Sequence, residues 1–113
     1  MKKKAYCPLE KIMTILEGKW TVLILWHLRI GPLRFSELQR KITGVTQKVL
    51  TTQLRKLEQY ELIHREVYPE IPPKVVYSLS DSGKTIIPIL INLNEWSRDH
   101  IQTEPTPEVK NIP

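Results

Sequence analysis

The sequence predicts a mainly α-helical fold class with one small β-hairpin. Apolar residues recur at helical spacing over most of the chain, two short runs past its middle alternate at period two, and a stiff proline loop joins those runs. At 113 residues there is room for one domain with one modest core. Apolar residues make up 41% of the chain and charged residues 26%, which excludes a disordered or membrane-embedded class and leaves an ordinary globular one.

The elements follow in order. Leu9, Ile12, Met13 and Leu16 define an amphipathic helix over about 8–17, and Gly18 offers a left-handed stop. Trp20, Val22, Leu23, Ile24, Leu25, Trp26 and Leu28 are apolar on most sides, so the second helix is expected to be buried; Gly31-Pro32 ends it. Ser36-Glu37-Leu38-Gln39 fits the S-x-x-Q capping pattern, opening a short third helix with Leu38 and Ile42 inward. Thr43-Gly44-Val45 is a tight turn. Thr46 is placed to cap a longer fourth helix over about 46–59, with Leu50, Leu54 and Leu57 on its inner face.

Ile63 to Tyr68 and Lys74 to Leu79 alternate as strands, joined by Pro69-Glu70-Ile71-Pro72-Pro73. Ser80 caps a last helix bearing Ile86, Ile87, Leu90, Leu93 and Trp96, and Pro88 within it is expected to introduce a kink. Residues 1–7 read as a basic arm, 8–101 as the folded domain and 102–113, with three prolines, as a flexible tail.

Charge is divided unevenly. Residues 1–56 hold twelve Lys/Arg and three Asp/Glu, whereas residues 57–113 hold five and nine, for a net +5. A basic half beside an acidic half points to one face that meets a polyanion. The apolar stretch Thr21–Trp26 is too short to span a bilayer, and the charged N-terminus has no apolar run behind it, so neither a membrane anchor nor a signal peptide is expected. The single cysteine, Cys7, allows no internal disulfide and favours a cytoplasmic setting. There is no Gly-rich phosphate loop, no metal-ligand cluster and no nucleophile–base pair; His27, His64 and His100 fall in separate elements. No enzyme, no cofactor and no metal are therefore expected.

A short helix, a Gly-containing turn and a longer helix make a helix-turn-helix, and the hairpin after it is a wing. The outer face of the fourth helix carries Gln47, Lys48, Thr51, Thr52 and Arg55, with no acidic residue from 46 to 57. A merely solvated helix mixes signs along its exposed face. A carboxylate-free one suits the phosphate-lined major groove, where amide, hydroxyl and guanidinium groups reach base edges. Ser36 and Thr46 at the helix starts join the candidate DNA-contacting set, and Arg34, Arg65 and Lys74 enter it as weaker candidates; Arg40, Lys41 and His64 are weaker candidates too. The alternative is a winged-helix protein-interaction module without DNA contact.

Several blocks resemble the HxlR-type regulators: Cys7-Pro8-Leu9-Glu10, Gly18-Lys19-Trp20-Thr21, Gly31 to Leu38, Val45 to Thr51 and Tyr68 to Leu79. The resemblance spans Cys7 to His100 and implies a winged helix related to the MarR group, a homodimer and a palindromic operator. It also implies dimerisation through the first and last helices, here bearing Leu9, Ile12, Met13 and Leu16, and Leu90, Leu93 and Trp96. Two positions depart from the pattern: Glu17 replaces a first glycine, and Tyr60-Glu61 replaces a Gly-containing turn.

Cys7 precedes Pro8, a residue favoured in a first helical turn, and lies beside Lys4 and Lys11. Reactive thiols occupy electropositive settings of this kind, and some HxlR-type proteins sense oxidants or electrophiles with a cysteine here, which makes Cys7 a candidate redox-sensing residue. The expected partners are double-stranded DNA and a second copy of the chain, with no membrane; the identity of any small-molecule effector is left open.

Overall fold

The computed structural model describes residues 7–101. The proposed N-terminal arm, apart from Cys7, and the proposed tail lie outside the described residues. Five helices and three strands follow in the order α1 (Pro8–Ile15), α2 (Lys19–Leu28), β1 (Leu33–Arg34), α3 (Phe35–Lys41), α4 (Gln47–Gln59), β2 (Ile63–Tyr68), β3 (Lys74–Leu79) and α5 (Asp81–His100).

The hairpin is extended by a strand absent from the sequence expectation. β1 pairs antiparallel with β3, Leu33 opposite Tyr77 and Arg34 opposite Val76, giving a three-stranded sheet in the order β1-β3-β2. β2 pairs with β3 from Ile63–Leu79 to Tyr68–Lys74. A two-residue strand is too short to show alternation and exists only through its pairing, which ties the segment between α2 and α3 to the wing.

The core is one cluster. Ile24, Leu25 and Leu28 of α2 meet Leu38 and Ile42 of the α3 region, and Leu50, Leu54 and Leu57 of α4. Ile63, Tyr77 and Leu79 close it from the sheet and Leu90 from α5. Leu90 is only 7% exposed in the single chain, so the residue assigned to a subunit interface instead fills the chain's own core. Leu16 is likewise packed against that core, whereas Leu9, Met13, Leu93 and Trp96 stand 64, 55, 57 and 52% exposed.

Two helix starts differ from expectation. Gly18, at φ 80°, is the N-cap of α2 rather than the stop of α1, which ends at Ile15 with Leu16 as C-cap. The α3 N-cap is Arg34, not Ser36: the backbone N–H of Arg34 donates to Glu37 Oε1 at 2.8 Å, so Glu37 supplies the reach-back half of a capping box while Ser36 lies inside the first turn. α5 continues as a helix through Pro88.

The junction between α4, β2 and α5 is tightly built. Glu61 adopts φ 60°, the left-handed conformation that a Gly would take without strain. Ser80 Oγ donates to the Glu61 carbonyl at 2.7 Å and accepts from the Gly83 N–H at 2.9 Å, while the Ser80 N–H donates to the Leu62 carbonyl at 3.0 Å. A Cβ at Gly83 would collide with the Leu62 carbonyl oxygen, so glycine permits this approach. No helix among the described residues is long and apolar enough to cross a membrane.

Candidate nucleic-acid interface

α4 is seated from below and capped at its start. Leu50, Leu54 and Leu57 are fully buried, and at about 25 cal/mol per Å² of apolar surface each stabilises the seat by roughly 1.5–3 kcal/mol. Thr46 Oγ1 accepts from the Val49 N–H at 3.1 Å, satisfying one of the free amides of the first turn. The register that buries the leucines turns the opposite face outward.

On that face Gln47, Lys48, Thr52 and Arg55 are exposed and Thr51 is half-buried. The Thr51 and Thr52 hydroxyls donate back to the carbonyls of Gln47 and Lys48, at 2.8 and 3.0 Å. They leave hydroxyl lone pairs outward as acceptors, complementing the donors of Lys48 and Arg55. Thr46 is exposed at the cap, and Arg34 and Ser36 are exposed at the start of α3. Arg40 and Lys41 lie exposed in its last turn.

The wing adds a second rim. Arg65 and His64 are exposed on β2. Lys74 is half-buried at the start of β3, with its Nζ 4.8 Å from the Tyr68 ring centroid, a cation–π contact that holds the ammonium against the strand. Lys74 and Arg65 thus both stand on the wing, the first resting on the Tyr68 ring and the second exposed to solvent. Tyr68 OH donates to Glu66 Oε1 at 3.3 Å; the nearby Glu66 charge, then burial, then this hydrogen bond raise the phenol above its ordinary value.

α3, α4 and the wing enclose a cleft of about 380 Å³ lined by Phe35, Thr51, Arg55, Glu58, Arg65 and Tyr77. Glu58 is not among the residues expected from the sequence, because it lies just past the acid-free stretch that ends at Leu57. Its spacing of i+3 from Arg55 was the signal that could have found it. The described residues present no group of His, Cys, Asp and Glu able to hold a metal ion.

Cys7 is the exposed N-cap of α1, and Pro8 occupies the first helical position. It stands at the start of the helix that carries the open Leu9 and Met13 side chains. Lys4 lies outside the described residues.

A seated, cationic helix following a tight turn, with a three-stranded wing at its side, defines a winged helix-turn-helix transcriptional regulator, not an enzyme. The chain belongs to the HxlR-like helix-turn-helix family, whose sequence profile matches residues 15–105. It is 50% identical over 92 residues to an HTH-type transcriptional regulator of Methanothermobacter thermautotrophicus, covering 81% of this chain and 70% of the relative. A MarR-family transcriptional regulator structure from Porphyromonas gingivalis W83 superposes with a TM-score of 0.81 at 35% identity, over 89% of this chain and 99% of that one. The redox regulator HypR in its reduced form superposes with a TM-score of 0.78 at 41% identity, over 82% of this chain and 92% of that one.

Proposed function

We propose that the chain is a cytoplasmic, sequence-specific DNA-binding regulator that acts as a homodimer on a palindromic operator. The observation that carries this is the outer face of α4: exposed Gln47, Lys48, Thr52 and Arg55 beside half-buried Thr51, seated on buried leucines and free of carboxylates through Leu57. Arg34 and Ser36 at the start of α3 and Arg65 on the wing flank it and supply backbone contacts. Lysine and arginine displace counterions from phosphates, so affinity falls steeply with salt. Two α4 helices then enter successive major grooves, about 34 Å apart, and read two half-sites.

The second copy is supported by the apolar side chains that one chain leaves open. Leu9 and Met13 on α1, with Leu93 and Trp96 on α5, form surface that a monomer keeps in water at a cost and a partner helix pair covers. Cys7 at the head of α1 then lies beside that seam. Two Cys7 thiols, one from each subunit, give up two protons and two electrons to an oxidant such as diamide, which becomes the hydrazine as one S–S bond forms. One Cys7 and a small thiol can react in the same way. The likeness to HypR, a redox regulator, supports an oxidant-responsive reading.

A mobility-shift titration with the protein's own upstream region tests the whole. Salt-dependent retention that Lys48→Ala and Arg55→Ala each weaken is expected. Indifference of duplex mobility to the protein at low salt would leave a protein-interaction module as the better account. Diamide is expected to change the affinity of the wild type and not of Cys7→Ser; an equal response of the two removes the redox role alone.

A further inference from the structure

We propose that Glu58 sets the specificity of this regulator by suppressing sequence-independent binding in the cleft between α4 and the wing. The inference rests on the DNA-binding reading above. Arg55 and Glu58 are one helical turn apart on α4, and Arg65 faces the same cleft from β2. Phe35, Thr51 and the buried Tyr77 form the remaining walls. Arg55 and Arg65 both line this cleft of about 380 Å³, which has room for a phosphodiester group.

Among the described residues nothing pairs with the Glu58 carboxylate. Among the described residues the ion pair within 4 Å is Lys56–Glu17, at 3.7 Å, so Glu58 holds neither arginine in contact. A phosphate entering the cleft therefore meets two cations and one free anion. Coulomb repulsion from Glu58 acts on any backbone phosphate regardless of sequence. Complexes differ in how far they rely on that phosphate. On arbitrary DNA both arginines bind backbone and the cleft is filled. On the operator Arg55 extends to a base edge, and the cleft phosphate contributes less. Glu58 thus penalises the non-operator complex more. A regulator surrounded by a large excess of competing sites gains effective occupancy from that difference.

The test uses the full-length dimer, an operator duplex recovered by the wild type from a random pool, and a scrambled duplex of equal length. Glu58→Gln is expected to bind the scrambled duplex roughly 3–10-fold more tightly, with a salt slope steeper by about one ion, and the operator less than about 2-fold more tightly. Glu58→Asp is expected to keep the wild-type ratio. Glu95→Gln, which makes the same change in net charge on α5, is expected to move neither affinity. An unchanged ratio and slope in Glu58→Gln, or equal weakening on both duplexes, overturns the proposal while leaving the DNA-binding reading intact. A wild type that selects no duplex overturns both.

Discussion

α4 and α5 are both long amphipathic helices, yet one chain completes the first and leaves the second unfinished. The inner leucines of α4 are fully enclosed and its outer face is polar. On α5 Leu90 reaches the core, while Ile89, Leu93 and Trp96 remain more than half exposed. The difference teaches that the domain's own core suffices to hold α4, whereas α5 presents apolar surface beyond what that core buries. Polar exposure is a finished surface in water; contiguous apolar exposure is not, and under the proposed function a second copy of the chain would finish it.

Paired truncations sharpen this contrast most. Leu54→Ala is expected to cost about 2–5 kcal/mol in urea unfolding, because it leaves a cavity in the enclosed seat of α4. Trp96→Ala is expected to shift the monomer–dimer equilibrium in sedimentation towards monomer while far-ultraviolet circular dichroism stays unchanged. Loss of helix instead would mean that α5 depends on its exposed face for its own folding. Next in size, Arg55→Ala is expected to lower operator affinity by about 1–3 kcal/mol and to relax preference at one base position, read by binding to singly substituted duplexes.

The junction after α4 gives a smaller effect of opposite sign. Glu61 holds φ 60°, and Glu61→Gly is expected to raise stability by roughly 0.5–1 kcal/mol in chemical denaturation, the relief of left-handed strain exceeding the added chain entropy. The smallest effect concerns pH. Burial first, then Lys41 and Arg29, push the His27 imidazole below its ordinary value of 6.5. The unfolded chain therefore protonates at higher pH than the folded one, so this contribution is full above about 6.5 and is lost as pH falls through the lowered folded value. Urea midpoints measured between pH 7.5 and 5 are expected to fall less for His27→Gln than for the wild type.

Much of the reading helix was legible because its signals are local and periodic. Thr46 sits one residue before the helix it caps, and Leu50, Leu54 and Leu57 repeat at i, i+4, i+7. Ser80 was legible for the same reason. Features set by tertiary contact were not. β1 exists only through Tyr77 and Val76, and Ser36 lost the cap to Arg34 because Glu37 reaches back by three residues. Leu90 and Leu93 share one apolar pattern, and only packing sends the first into the core and the second to solvent. The cleft that joins Arg55, Glu58 and Arg65 draws on two elements: the i+3 spacing of Arg55 and Glu58 is visible within α4, but nothing local places Arg65 opposite them.

The Ser80–Gly83 turn has a mechanical consequence. It grips the backbone on both sides of Leu62, whose own N–H donates to the Leu57 carbonyl at 2.9 Å, so the exit of α4, the root of the hairpin and the first turn of α5 are fastened together. The end of the α4 helix, the wing and the last helix therefore share one anchoring point, and a substitution that loosens it is felt by all three.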